Sequence, residues 1–149
     1  MLKADHDKVK DLLNQLESTT ERGVKTREEL FATIKGELTV HETIEEEIFY
    51  PALKEHPKAK ELVLEAYEEH HVVDNVMAEL EGLDVSDETW GAKATVMKEN
   101  VEHHIQEEEQ EMFKQARQVF DKQELQDLGD RMARRKTEAQ QELGVPAGR

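Results

Sequence analysis

Apolar residues recur three and four positions apart along most of the chain, the spacing that gathers them on one side of a helix. Val9, Leu12, Leu13 and Leu16 mark a first helix over about residues 2–18. A second runs from Thr26, where Glu29 three residues on suggests a capping box, through Leu30, Ile34, Leu38, Ile48 and Phe49. Pro51 is expected to kink or end it near Tyr50, because proline removes a helical N–H. Pro57 suits the first turn of a third helix, which carries Leu62, Val63, Ala66, Val73, Val76, Met77 and Leu80 and stops at Gly82. Ser86 or Asp87 caps a fourth, with Trp90, Ala94, Met97, Val101, Met112 and Phe113 on its stripe. Asp121 and Glu124 open a shorter fifth helix that ends near Leu143, and residues 145–149 are expected to fray.

The pattern repeats. At an offset of 64 residues His6 falls on His70, Val9 on Val73, Leu13 on Met77 and Leu16 on Leu80. At an offset of 63, Ile34 falls on Met97, Leu38 on Val101, His41 on His104, Glu45 on Glu108 and Tyr50 on Phe113. Amphipathic periodicity alone would align the apolar positions; it would not align two histidines and a glutamate. Two such hairpins pack face to face, so the fold class is all-α: an up-down-up-down four-helix bundle over about residues 2–117, with an additional C-terminal helix over about 121–143, in one domain of 1–149.

Composition narrows the function. Of 149 residues 37% are charged and only 5% aromatic, and the net charge of −15 argues against nucleic acid as a partner. The lack of cysteine removes disulfides, thiolate zinc sites, iron–sulfur clusters and a cysteine nucleophile together. No apolar run approaches the roughly 20 residues of a membrane span, and no signal peptide is visible. The expectation is a cytoplasmic protein with no membrane partner, either a monomer or a weak homodimer. Composition does not decide whether the fifth helix packs on the bundle or makes a dimer contact.

The chemistry lies in the histidines. Residues four apart share a helix face, so His41 with Glu45, and His104 with Glu108, can aim at one point in the bundle interior. His6 and His70 lie on the apolar faces of the first and third helices. Four imidazoles and two carboxylates converging in an apolar interior are costly without a metal. Two cations would offset that, each taking the imidazoles of one hairpin, with the glutamates as bridges. Mixed imidazole and carboxylate donors favour iron or manganese over a closed zinc site. A single H-x-x-x-E is a weak signal, since His103/Glu107 is a third example; the strength is in the four-helix pattern. A ferritin-like centre needs two E-x-x-H motifs on separate helices, and only Glu68/His71 is present.

The segments LKADHDKVKDLL, HETIEEEIFYPAL, YEEHHVVDNVMAEL and VEHHIQEEEQEMF resemble the four motif helices of the haemerythrin-like, or HHE cation-binding, family. The resemblance spans about residues 2–116. It implies that His6, His41, Glu45, His70, His104 and Glu108 match the family's iron ligands. It also implies a cofactor of two iron ions with oxo or hydroxo bridges, and a small diatomic ligand such as dioxygen. The roles it suggests are oxygen binding, oxygen, redox or iron sensing, or, as an enzyme, turnover of peroxide, nitric oxide or ferrous iron. Oxygen-carrying members have H-x-x-x-H on the third helix and H-x-x-x-x-D on the last. Here Asp74 stands four after His70, and Glu108 four after His104. No fifth histidine occupies its usual place, which shifts the expectation from oxygen storage toward sensing or oxidative chemistry.

The repeat sets the register, favouring His70 over His71 and His104 over His103. Glu42 is either a further ligand or a surface glutamate. Asp74 is a ligand, a partner of His70, or the wall of a water-filled channel. Tyr67 is expected in the core, with donation to a bound oxygen species as the alternative, His56 in solvent, and Glu46, Glu47, Glu107 and Glu109 on solvated faces.

Overall fold

In the computed structural model, which describes residues 1–146, five helices carry the chain. α1 is Leu2–Glu17. α2 covers 24–54, as an α-helix Val24–Ile44, a π-helical turn Glu45–Phe49 and a last α-helical stretch Tyr50–Lys54. α3 is Lys60–Glu81. α4 covers 90–119 in the same three parts, Trp90–Glu107, the π-helical turn Glu108–Met112, and Phe113–Val119. α5 is Lys122–Leu143. Short connections force neighbours to run antiparallel, so α1–α2 and α3–α4 form the two hairpins that the repeat implies.

The ends of the helices differ in part from expectation. α2 starts at Val24 behind Gly23, with no side-chain cap, so Thr26 and Glu29 lie inside the helix rather than capping it. Pro51 neither ends nor breaks α2. It follows the π-turn, whose closing bond runs from the Tyr50 N–H to the Glu45 carbonyl. The next carbonyl, Glu46, would need the missing N–H of residue 51, and the Tyr67 hydroxyl approaches it at 3.5 Å instead. Pro57 lies in the turn before α3, which begins at Lys60. Asp87 accepts from the Thr89 N–H at 2.8 Å, in the turn that leads into α4. The capping box of Asp121 and Glu124 is present at the start of α5.

Two apolar clusters fill the interior. One holds Val9, Leu13, Ile34, Leu38, Met77, Trp90 and Val101. The other holds Leu2, Ile44, Phe49, Leu53, Val63, Met112, Leu128 and Met132. Along each helix of the bundle the proposed histidine falls between members of the two clusters: His6 between Leu2 and Val9, His41 between Leu38 and Ile44. The polar residues therefore form a layer sandwiched between two dry ones.

α5 lies along α2, burying Leu128 and Met132 in the second cluster. Arg135 grips Glu47 of α2 through two bonds of 2.9 and 3.1 Å. The chain does not fray directly after α5. Gly144 adopts φ 68°, and the Val145 N–H returns to the Gln140 carbonyl at 2.8 Å, which satisfies a carbonyl at the helix end. Val145 then packs on α2 at Gly36, where a Cβ would stand 3.0 Å from the valine Cγ2. Residues 147–149 of the expected frayed tail lie outside the described residues. Among those described, no helix is long and apolar enough to cross a membrane.

Gly144→Ala forces a Cβ into the left-handed region, at a cost of about 1–2 kcal/mol. Urea unfolding is expected to report that loss while metal content stays unchanged; an unaltered midpoint would mean the C-terminal cap contributes nothing.

Candidate metal centre

The centre is built at the two π-turns. Glu45 and Glu108 each open one, at equivalent places in the repeat. In a regular α-helix residues 45 and 50 would point about 140° apart, at roughly 100° per residue. Closing the turn with an i to i+5 bond brings them toward the same side. Tyr50 thereby turns into the bundle beside Glu45, where helical spacing alone does not place it.

All six residues singled out in the sequence converge. Glu45 and Glu108 are 0% exposed. Glu45 reaches across the site, with Oε2 3.2 Å from His41 Nε2 and Oε1 3.2 Å from His70 Nε2. Glu108 does the same, with Oε1 3.0 Å from His6 Nε2 and Oε2 3.2 Å from His104 Nε2. Within each hairpin the imidazoles meet tip to tip: His6 and His41 Nε2 are 3.2 Å apart, as are His70 and His104 Nε2. Two donor groups result, His6, His41, Glu45 and Glu108 in one, and His70, His104 and Glu45 in the other. Each carboxylate spans both pairs of imidazoles.

A ring of carboxylates holds the outward nitrogens. His6 Nδ1 lies 2.7 Å from Glu109, His41 Nδ1 3.0 Å from Asp5, His70 Nδ1 2.8 Å from Glu46 and His104 Nδ1 2.6 Å from Glu69. This ring obeys the repeat as well, Asp5 matching Glu69 and Glu46 matching Glu109. Asp5 is in turn bonded by Lys136 of α5 at 2.7 Å, so the fifth helix steadies one histidine through two links. Glu46 and Glu109, expected in solvent, instead orient ligand-type histidines. Each sits one residue after a buried glutamate within a run of glutamates, on the flank that meets the neighbouring helix.

Tyr50 is the other unexpected member. It is 0% exposed. Its hydroxyl donates to Glu108 Oε2 at 2.5 Å and lies 3.2 Å from His104 Nε2 and 3.3 Å from His70 Nε2. Its partner in the repeat, Phe113, stacks on His6 at 5.9 Å with rings 3° from parallel. One half of the centre thus has a phenol where the other has a bare ring. His71 is exposed, and His103, 64% exposed, pairs with Glu107 on the surface. Asp74 is exposed and stays out of the central cluster, whereas Glu42 is buried. His56 is half-buried rather than solvated, its ring edge-on to Phe120.

The donor set fits metal cations. With each Nδ1–H given to a carboxylate, the Nε2 lone pairs face one another and the central oxygens. Glu45 Oε1, Glu45 Oε2 and Glu108 Oε1 are buried without a hydrogen-bond partner. Without a cation, protons must hold these groups together. Burial opposes charge on His70, but Glu45, Glu46 and Glu42 outweigh it and raise its pKa to about 10. For His104, burial is outweighed by Glu108, Glu69 and Glu45, raising its pKa to about 9. His41 is raised as well, against burial, by Glu45, Asp5 and Glu108. Burial would lift the Glu108 carboxyl, yet Glu45, His104, His41 and His6 packed around it hold it well below the ordinary range. Glu42 goes the other way, pushed up to about 9 by burial and by Asp74 beside it.

These shifts set a pH dependence for the metal-free protein. The folded pKa values of His70 and His104 lie above their ordinary 6.5. Their contribution to stability is therefore complete below that value and is lost as pH rises through about 9 and about 10. The urea midpoint of metal-free protein is expected to fall across that alkaline window, and metal-loaded protein to lack the fall, since bound cations replace the protons. Identical profiles with and without metal would contradict this.

The Hemerythrin HHE cation binding domain family matches residues 1–116, and no curated protein matches the chain. Among solved structures, the crystal structure of a hemerythrin HHE cation binding domain-containing protein from Mycobacterium kansasii aligns with a TM-score of 0.84. It is 28% identical and covers 95% of this chain and 85% of that one. The match takes in all four helices that bring the histidines and glutamates together, and the chain belongs to the hemerythrin HHE cation-binding domain family.

Proposed function

We propose that this chain is a non-haem di-iron protein that binds or senses dioxygen or a related small diatomic molecule, or senses iron. The observation that carries this reading is the pairing of donors: Glu45 and Glu108 each span a His6–His41 pair and a His70–His104 pair. Imidazole and carboxylate donors without thiolate suit iron. Two irons would supply the electrons that dioxygen or nitric oxide takes up on binding.

The chain's own residues shape the space for a ligand. Beside the four histidines is a cavity of about 20 Å³, closed off by Val9, Leu38, Val73, Val101 and Ile105. That is room for one molecule the size of water. Its walls, apolar apart from Glu42 and the histidines, exclude bulk water and charged reductants, which favours a small neutral ligand. No fifth histidine fills the space. Tyr50 supplies an oxygen donor on the His70–His104 side only, so the two halves offer unequal surroundings.

A second reading, a di-iron enzyme acting on peroxide, nitric oxide or ferrous iron, is favoured by that Tyr50 hydroxyl, a proton-bearing group 2.5 Å from Glu108. Mixing reduced, iron-loaded protein with air separates the two. A stable oxygenated spectrum would sink the enzyme reading. Sustained consumption of peroxide or nitric oxide would sink simple binding.

Metal analysis of protein reconstituted with ferrous iron is expected to give two irons per chain. His104→Ala is expected to retain one or fewer, and Glu45→Ala, which removes a link to both halves, to lose both. Full occupancy in either variant would overturn the assignment of these ligands. Tyr50→Phe is expected to keep two ferric ions but change the visible absorption, with any phenolate-to-iron band lost; an unchanged spectrum would leave Tyr50 as packing alone.

A further inference from the structure

The outer face of α2 and α3 carries a groove of about 490 Å³ that the ligand set does not use. Glu42, Glu46, Glu47, Asp74 and Glu81 line it, and Lys35 is its one basic residue. Lys35 pairs with Glu81, and Glu47 is held by Arg135. Among the described residues no lysine or arginine pairs with Glu42, Glu46 or Asp74. Glu42 is the single residue that lines both this groove and the inner cavity beside the four histidines. It is 8% exposed, and its Oε2 is buried with no hydrogen-bond partner. An ionisable oxygen kept in that position without a partner is a costly feature. Glu42, Glu46 and His70 also offer donor atoms within 4.8 Å of one another, on the side of His70 away from the centre.

The internal repeat acts as a control for what these carboxylates do. Groups that serve the histidines occur twice: Asp5 with Glu69, Glu46 with Glu109, and the two π-turns. Glu42 and Asp74 do not. Their counterparts are Ile105 and Lys10. Ile105 closes the same inner cavity from the opposite side with an apolar side chain. The protein thus has an acidic wall at one side of the cavity and an apolar seal at the other. Building the four-histidine layer does not require Glu42, since the repeat-related half does without it.

We propose that the Glu42–Asp74 groove is the route by which divalent cations reach and leave the buried centre, with Glu42, Asp74 and Glu46 as a transient cation site. The proposal rests on the reading of that centre as a metal site. Carboxylate oxygens at the mouth replace the water shed by an incoming hard cation, and rotation of the Glu42 side chain opens the wall it forms. Ile105 offers no such ligand, so the opposite side stays shut.

Metal-free protein mixed anaerobically with limiting ferrous iron or cobalt(II) in a stopped-flow instrument tests this, with uptake followed optically and final stoichiometry measured separately. The double variant Glu42→Gln/Asp74→Asn is expected to load at least tenfold more slowly than wild type and still to reach two metals per chain. Asp74→Asn alone, an exposed change that leaves the core untouched, is expected to slow loading several-fold. Glu88→Gln, which removes an exposed charge that does not line the groove, is expected to load at the wild-type rate and so controls for net charge. Wild-type loading rates in both groove variants would overturn the proposal. So would fewer than two metals in the double variant, which would make Glu42 a ligand of the centre rather than its access port. Failure of wild-type protein to take up any metal would instead sink the reading of the centre itself, and the route with it.

Discussion

Four imidazole nitrogens meet in pairs 3.2 Å apart around two carboxylates that are 0% exposed. Such an arrangement cannot hold itself together as neutral groups; it requires positive charge, supplied by protons or by metal. Much of the structure follows from that requirement. The two apolar clusters lie on either side of the layer and keep water from screening it. The carboxylates at Asp5, Glu46, Glu69 and Glu109 fix each ring from behind. α5 reaches the layer through Lys136 and Asp5, so even the helix outside the bundle helps set a histidine's orientation.

How far the sequence disclosed this depends on the kind of interaction. The helices and the convergence of His6, His41, Glu45, His70, His104 and Glu108 could be read because an α-helix has a fixed period and because the pattern occurs twice. The register between His70 and His71 came from the same source. What stayed hidden depended on departures from that period or on contacts between helices. Tyr50 was hidden by a π-turn, which no helical wheel anticipates. Glu46 and Glu109 stand among other glutamates, and only the approach of a neighbouring helix separates the ones that touch histidine from those that meet water. The docking of Val145 against Gly36 depends on a tertiary contact with no local sign.

The repeat also shows where the two halves diverge. Ligand-type residues, their supporting carboxylates and the π-turns are duplicated. The tyrosine at position 50 has a phenylalanine counterpart, and Glu42 and Asp74 have Ile105 and Lys10. Duplication accounts for the scaffold, and divergence accounts for features a symmetric scaffold would lack: a phenol on one side of the centre and an acidic wall on one side of the cavity.

The paired π-turns carry a consequence for anyone redesigning this protein. Each amounts to one residue more than a regular helix would use between a glutamate and the ring that follows it. Straightening either turn into ideal α-helix without removing a residue would improve local hydrogen-bond regularity. It would also swing everything beyond the turn by about 100°, carrying Tyr50 or Phe113 off the site and Leu53 or Ala116 out of the core. In this bundle, helical irregularity is a dimension of the centre, and idealising the backbone would unmake it.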